Sequence, residues 1–101
     1  LSPIPSSSQR KHTRHNMPID VLLETLDEKG VRAQAENTVT ENISARGATL
    51  FTSLAIQVGR LVRLTSPQYN LTVFASVRSV STTSGGTGRI HVEFIDREWP
   101  L

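Results

Sequence analysis

Two clusters of polar side chains in this 101-residue sequence have the types and spacing to hold an anionic, base-bearing ligand. The first is Arg10-Lys11-His12-Thr13-Arg14, an RxxxR. A guanidinium forks onto two oxygens at once, stacks on a ring and keeps its charge across the physiological range. In an extended chain Arg10 and Arg14 are up to about 13 Å apart, at roughly 3.3 Å per residue, so one short segment can touch two parts of one ligand. The second is Asn42-Ile43-Ser44-Ala45-Arg46-Gly47, an NxSxxG. At the end of a strand, Asn42 and Ser44 share a face while Ile43 points the other way. A buried Ile43 then turns both outward as a hydrogen-bonding pair able to read a guanine edge. Gly47, with no Cβ, admits φ > 0 at a turn and lets backbone or ligand come close.

Each cluster also has a plainer reading. Two arginines without a partner motif make a solvated basic linker, and Asn and Ser bond their own local backbone in turns.

The surrounding elements must hold these groups in place. Residues 1–9, LSPIPSSSQ, are rich in Pro and Ser with few apolar anchors and read as a flexible linker or arm, continued by the basic, aperiodic Arg10–His15. Ile19, Val21 and Leu23 alternate with Asp20, Leu22 and Glu24, the period of a half-buried strand. Asp27-Glu28-Lys29-Gly30 is a turn, and Val31, Ala33 and Ala35 open a second strand that continues through Val39 to Ser44. Ala45-Arg46-Gly47 reads as a tight turn, Ala48–Thr52 as a third strand, Arg60–Thr65 as a fourth and Leu71–Val80 as a fifth. Ser84-Gly85-Gly86-Thr87-Gly88 is a loop, and Ile90, Val92 and Phe94 mark a sixth strand. Only Ser53–Val58 could hold a single helical turn. Short strands separated by turn signals predict an all-β chain, a six-stranded antiparallel barrel with Ile19, Val21, Val73, Val92 and Phe94 in its core. The expected division is 1–9 as arm, 10–96 as barrel domain including the RxxxR, and 97–101 as tail, with Trp99 packed at the barrel end.

Composition narrows the function classes. Cysteine is absent, which excludes disulfides and thiolate-bound metal and fits a reducing compartment. No apolar run is long enough to span a membrane. The first residue is Leu1, so the chain is expected to be a fragment or a processed form. His12, His15 and His91 are scattered, with no Cys and no companion carboxylates, and do not define a metal site. No Ser-His-Asp arrangement has supporting context, and Ser84–Gly88 lacks the Lys of a P-loop. A binding module without enzymatic activity is the expectation. The net charge is only +2, but nine of the eleven basic residues are arginines; on count alone a biased genome composition is the favoured reading, with the fork that arginine offers to phosphate and guanine edges as the functional one.

The two clusters together, in order and with residues 15–41 between them, resemble the PilZ family, whose signature is RxxxR, then some 20–30 residues, then (D/N)xSxxG. The likeness covers about residues 10–96. It implies a bacterial, cytoplasmic receptor for the second messenger cyclic di-GMP, with Arg10 and Arg14 as an arm that wraps the nucleotide and Asn42, Ser44 and Gly47 as the barrel side of the site. It further implies that ordering of the arm relays the signal to a downstream protein or an attached domain. Relatives often carry Gly in the last strand near the position of His91, so the role of His91 stays open. Two rival readings are a PilZ-like interaction module that has lost the nucleotide and a small barrel for single-stranded nucleic acid. The scarcity of aromatic platforms counts against the second.

Overall fold

The computed structural model describes residues 13–101. It is a closed antiparallel barrel of six strands and, among the described residues, contains no helix: β1 (Asp20–Leu26), β2 (Arg32–Ile43), β3 (Gly47–Thr52), β4 (Leu61–Ser66), β5 (Leu71–Thr82) and β6 (Gly88–Phe94). The order around the barrel is β1-β2-β3-β6-β5-β4. Neighbours in sequence pair as hairpins except at two joins, where β3 meets β6 and β1 meets β4. The expected barrel is therefore the observed one, and the helical turn considered for Ser53–Val58 does not form.

The period-two pattern closes the barrel because inward positions of facing strands meet in register. Leu23 lies opposite Leu64, Leu64 opposite Val73, Val77 opposite Val92, and Val92 opposite Ala48. All are buried, together with Ile19, Val21, Ile43, Leu50, Ile90 and Phe94. Trp99, in the segment read as a tail, returns to this core and is 2% exposed. Its ring lies edge-on to Tyr69 and tilted on Phe94, with centroids 5.3 and 5.7 Å away. Its amide donates to the carbonyl of Ala45 at 2.8 Å, which ties the chain end to the β2–β3 turn.

The β1–β2 turn is built by Asp27, whose Oδ1 accepts the amides of Lys29 at 2.8 Å and Val31 at 2.9 Å, with Gly30 at φ 80°. On the outer face Glu24 is almost fully buried. Arg63 grips it through two bonds of 2.8 and 3.1 Å, and Arg32 approaches to 3.5 Å. The hydrogen bond from Arg63 holds the Glu24 carboxyl below its ordinary value against the opposing effect of burial, with the charges of both arginines assisting.

Two irregularities shape the outer face of β2 and β5. The β2–β3 register shifts between Thr40 and Asn42, and the β5–β6 register shifts between Val77 and Ser79. Each extra residue, Glu41 and Arg78, is a β-bulge that re-aims its neighbours.

Candidate functional site

Register places the site on the outer face of β2, β3, β6 and β5. Asn42 pairs with Thr49, Thr49 with His91, and His91 with Ser79, so these four residues form a row across the sheet. The next row on that face runs Gly47, Glu93, Ser76. Over these rows lies an open depression of about 350 Å³ lined by Arg14, Ser44, Arg46, Gly47, Arg78, His91 and Glu93. Its size is near the lower end of the roughly 300–1,000 Å³ common for ligand sites. A larger depression of about 700 Å³ lies between the β1–β2 turn and Gly59–Leu61, but its charged lining, Asp27, Glu28, Lys29 and Arg60, is of mixed sign. Convergence of cations, rather than volume, singles out the smaller one.

The arm segment reaches the site through backbone pairing. The amide of His15 donates to the carbonyl of Ile43 at 2.7 Å, and the amide of Ile43 returns a bond to the His15 carbonyl at 2.9 Å. This bridge sets Arg14 beside the end of β2, where its Nη1 donates to Oδ1 of Asn42 at 2.7 Å. Arg10 lies outside the described residues, and so does the arm over residues 1–12. Of the expected site residues, Arg14, Ser44 and Gly47 line the depression, and Asn42 adjoins it through Arg14.

Two local expectations are corrected. Ser44 does not share the outward face of Asn42: β2 ends at Ile43, and Ser44 is 9% exposed inside the turn. Its amide donates to the carbonyl of Gly47 at 2.8 Å, while its hydroxyl accepts from the Arg46 amide at 3.3 Å. Gly47, in turn, is absent from the positive-φ glycines and is the first residue of β3. It is required by close approach, because a Cβ there would stand 2.5 Å from the carbonyl oxygen of Val92 in β6.

Arg46, Arg78 and Glu93, which the sequence does not single out, also line the depression, and so does His91, whose role the sequence leaves open. The alternation Ile90, Val92, Phe94 already turns His91 and Glu93 outward. The pairing of β6 with β3, however, joins distant segments and leaves no local trace. Arg78 sits at the bulge in β5, with Nη1 3.5 Å from Oε1 of Glu93. His91 Nδ1 lies 3.2 Å from Thr49 Oγ1. Burial pushes the His91 imidazole below its usual value, the charges of Arg14 and Arg78 push the same way, and Glu93 opposes them. The site therefore presents guanidinium groups from three segments, a neutral imidazole at neutral pH, and one carboxylate. Among the described residues no group of three His, Cys, Asp or Glu could hold a metal ion, and no helix is long and apolar enough to cross a membrane.

A closed six-stranded barrel with Arg14 held beside an NxSxxG turn has the form of a small binding module. The PilZ domain family matches residues 8–98, so the chain belongs to that family. Solved structures that share its fold include the following three. MotI/DgrA, the inhibitor of motility of Bacillus subtilis, aligns with a TM-score of 0.68 at 23% identity over 87% of this chain and 43% of its own. YcgR from Escherichia coli in complex with c-di-GMP aligns with a TM-score of 0.63 at 16% identity over 87% of this chain and 38% of its own. The PilZ domain of YcgR with c-di-GMP gives 0.60 at 15% identity over 87% of this chain and 79% of its own. The chain thus spans less than half the length of the first two. No curated protein sequence matches it.

Proposed function

We propose that this chain is a cyclic di-GMP receptor module acting in the bacterial cytoplasm, with Arg10, Arg14, Asn42, Ser44 and Gly47 in its site and no catalytic role. The observation that carries the reading is the bond from Arg14 to Asn42, which joins the two motifs at the rim of a cationic depression in a PilZ chain. Arg14 can exchange a neutral amide partner for phosphate or base, since a charge-assisted bond is worth about 1.5–3 kcal/mol. The c-di-GMP held by the two YcgR structures supports the choice of ligand. Arg10, four residues upstream, extends the contact along the nucleotide, and ordering of the arm passes the signal to a downstream protein or an attached domain.

Titration calorimetry with cyclic di-GMP, linear pGpG and a short oligonucleotide tests this. Saturable binding of cyclic di-GMP alone is the expected result. Binding of the oligonucleotide instead, or of none of the three, would replace this reading with one of its rivals.

A further inference from the structure

Three of the side chains lining the depression are arginines, which only donate, and one is a carboxylate, which only accepts. The Ser44 hydroxyl is already engaged within its turn. Asn42, the motif position open to Asp or Asn, has given its Oδ1 to Arg14. A guanine base needs an acceptor pair for its N1–H and N2–H2, and Glu93 is the one lining side chain that offers two adjacent acceptor oxygens. It stands on β6 directly opposite Gly47, which carries no side chain to compete with it. A carboxylate in an anion site also repels phosphate, so it suits only a ligand that brings donors to it.

We propose that Glu93 is a specificity-determining residue that accepts N1–H and N2–H2 of one guanine, and that Arg78 is released by this exchange to meet the ligand's phosphate. The inference rests on the cyclic di-GMP reading. The Arg78–Glu93 pair is built to be exchanged: its atoms are 3.5 Å apart and its side chains 60% and 44% exposed, and such surface pairs hold with little free energy. Adenine presents an acceptor at N1 beside its amino group and cannot satisfy both oxygens. A site that hydrogen-bonds a ligand's N–H rejects analogues lacking it.

The test compares cyclic di-GMP with cyclic di-IMP, whose hypoxanthine lacks only the N2 amino group, on the full chain and on Glu93→Gln. The parent should prefer cyclic di-GMP by about tenfold, the equivalent of one charge-assisted bond. Glu93→Gln should bind cyclic di-GMP about tenfold more weakly and lose that preference, because its amide nitrogen faces the ligand's donors. A thermal melt like the parent's verifies the fold. If the variant keeps the preference, or binds cyclic di-GMP more tightly because a repulsive charge has gone, Glu93 is not the reader. If the parent binds neither cyclic dinucleotide, the receptor reading fails and Glu93's role falls with it, a result distinct from the first.

Discussion

The guanidinium of Arg14 donates to Oδ1 of Asn42 at 2.7 Å, although the two residues are 28 positions apart in the chain. One bond thus connects the RxxxR segment with the NxSxxG turn, and the backbone bridge between His15 and Ile43 fixes its geometry. Asn42→Ala should leave that bridge in place, so stability should change by no more than about 0.5 kcal/mol. Arg14 would lose the partner that aims it, and cyclic di-GMP affinity should fall by about tenfold, the equivalent of one hydrogen bond of about 1–1.5 kcal/mol. Calorimetry beside a thermal melt reads both quantities. Parent-like affinity in the variant would remove Asn42 from the site.

Gly47 bears on the fold before it bears on any ligand. The atom nearest to an added Cβ is the carbonyl oxygen of Val92, 2.5 Å away, and it is backbone that cannot swing aside. Gly47→Ala should force β3 and β6 apart and destabilise the protein by about 1–3 kcal/mol. Urea unfolding of the ligand-free variant measures this. A midpoint equal to the parent's would mean that the strands yield freely there and that Gly47 matters only for the ligand.

Alternation carried most of the architecture in the sequence. Inward positions such as Val73, Ala75 and Val77, or Ile90, Val92 and Phe94, repeat every second residue, because each strand has one face in the core and one in water. What broke that period stayed hidden. The bulge at Arg78 inserts a residue whose side chain is polar either way, so nothing in the letters marks the register shift that brings it to Glu93. Extending the strand one residue too far makes Ser44 an exposed partner of Asn42, whereas pairing stops at Ile43 and Ser44 is covered within the turn, bonded to Gly47 and Arg46. Of the two roles the sequence suggests for Gly47, a positive φ is not observed, whereas close approach of backbone is, from Val92 of β6. The motif itself was legible because its members are local, and the β6 half of the site was not, because β6 reaches β3 only through the closure of the barrel.

The Glu24–Arg63 pair should govern acid stability. Arg63's hydrogen bond holds the folded-state carboxyl below the ordinary value of 4.5. A depressed carboxylate stabilises the fold fully above its unfolded value, and the contribution is lost as pH falls through the folded one. The parent should therefore lose stability on acidification below 4.5. In Arg63→Ala, Glu24 keeps only Arg32, so stability at pH 7 should drop, by less than the about 3 kcal/mol of breaking a fully buried pair, because Arg63 is part-exposed and Arg32 remains. The further loss in acid should be smaller than in the parent. Parallel urea titrations at neutral and acid pH decide it: an equally steep acid limb in the variant would assign that limb to other carboxylates.

His91 gives ligand binding a pH dependence opposite in sense to that of the free protein. Its imidazole is held below 6.5 by burial, then by Arg14, with Arg78 adding to this and Glu93 opposing; Arg46 also lines the same depression. In the free protein the neutral ring's contribution to stability is present above 6.5 and is lost as pH falls toward the depressed value, because the unfolded chain takes up the proton first. On the receptor reading, cyclic di-GMP would bring two phosphodiester charges among these groups and so favour the imidazolium in the complex. Binding should then take up a proton, so affinity should increase on acidification, while the melting temperature of the free protein declines as pH falls below 6.5. His91→Gln retains hydrogen-bonding capacity toward Thr49 without a titratable group, so both slopes should flatten. Calorimetry in two buffers of different ionisation enthalpy counts the proton directly. The same proton uptake in His91→Gln would place the titrating group elsewhere.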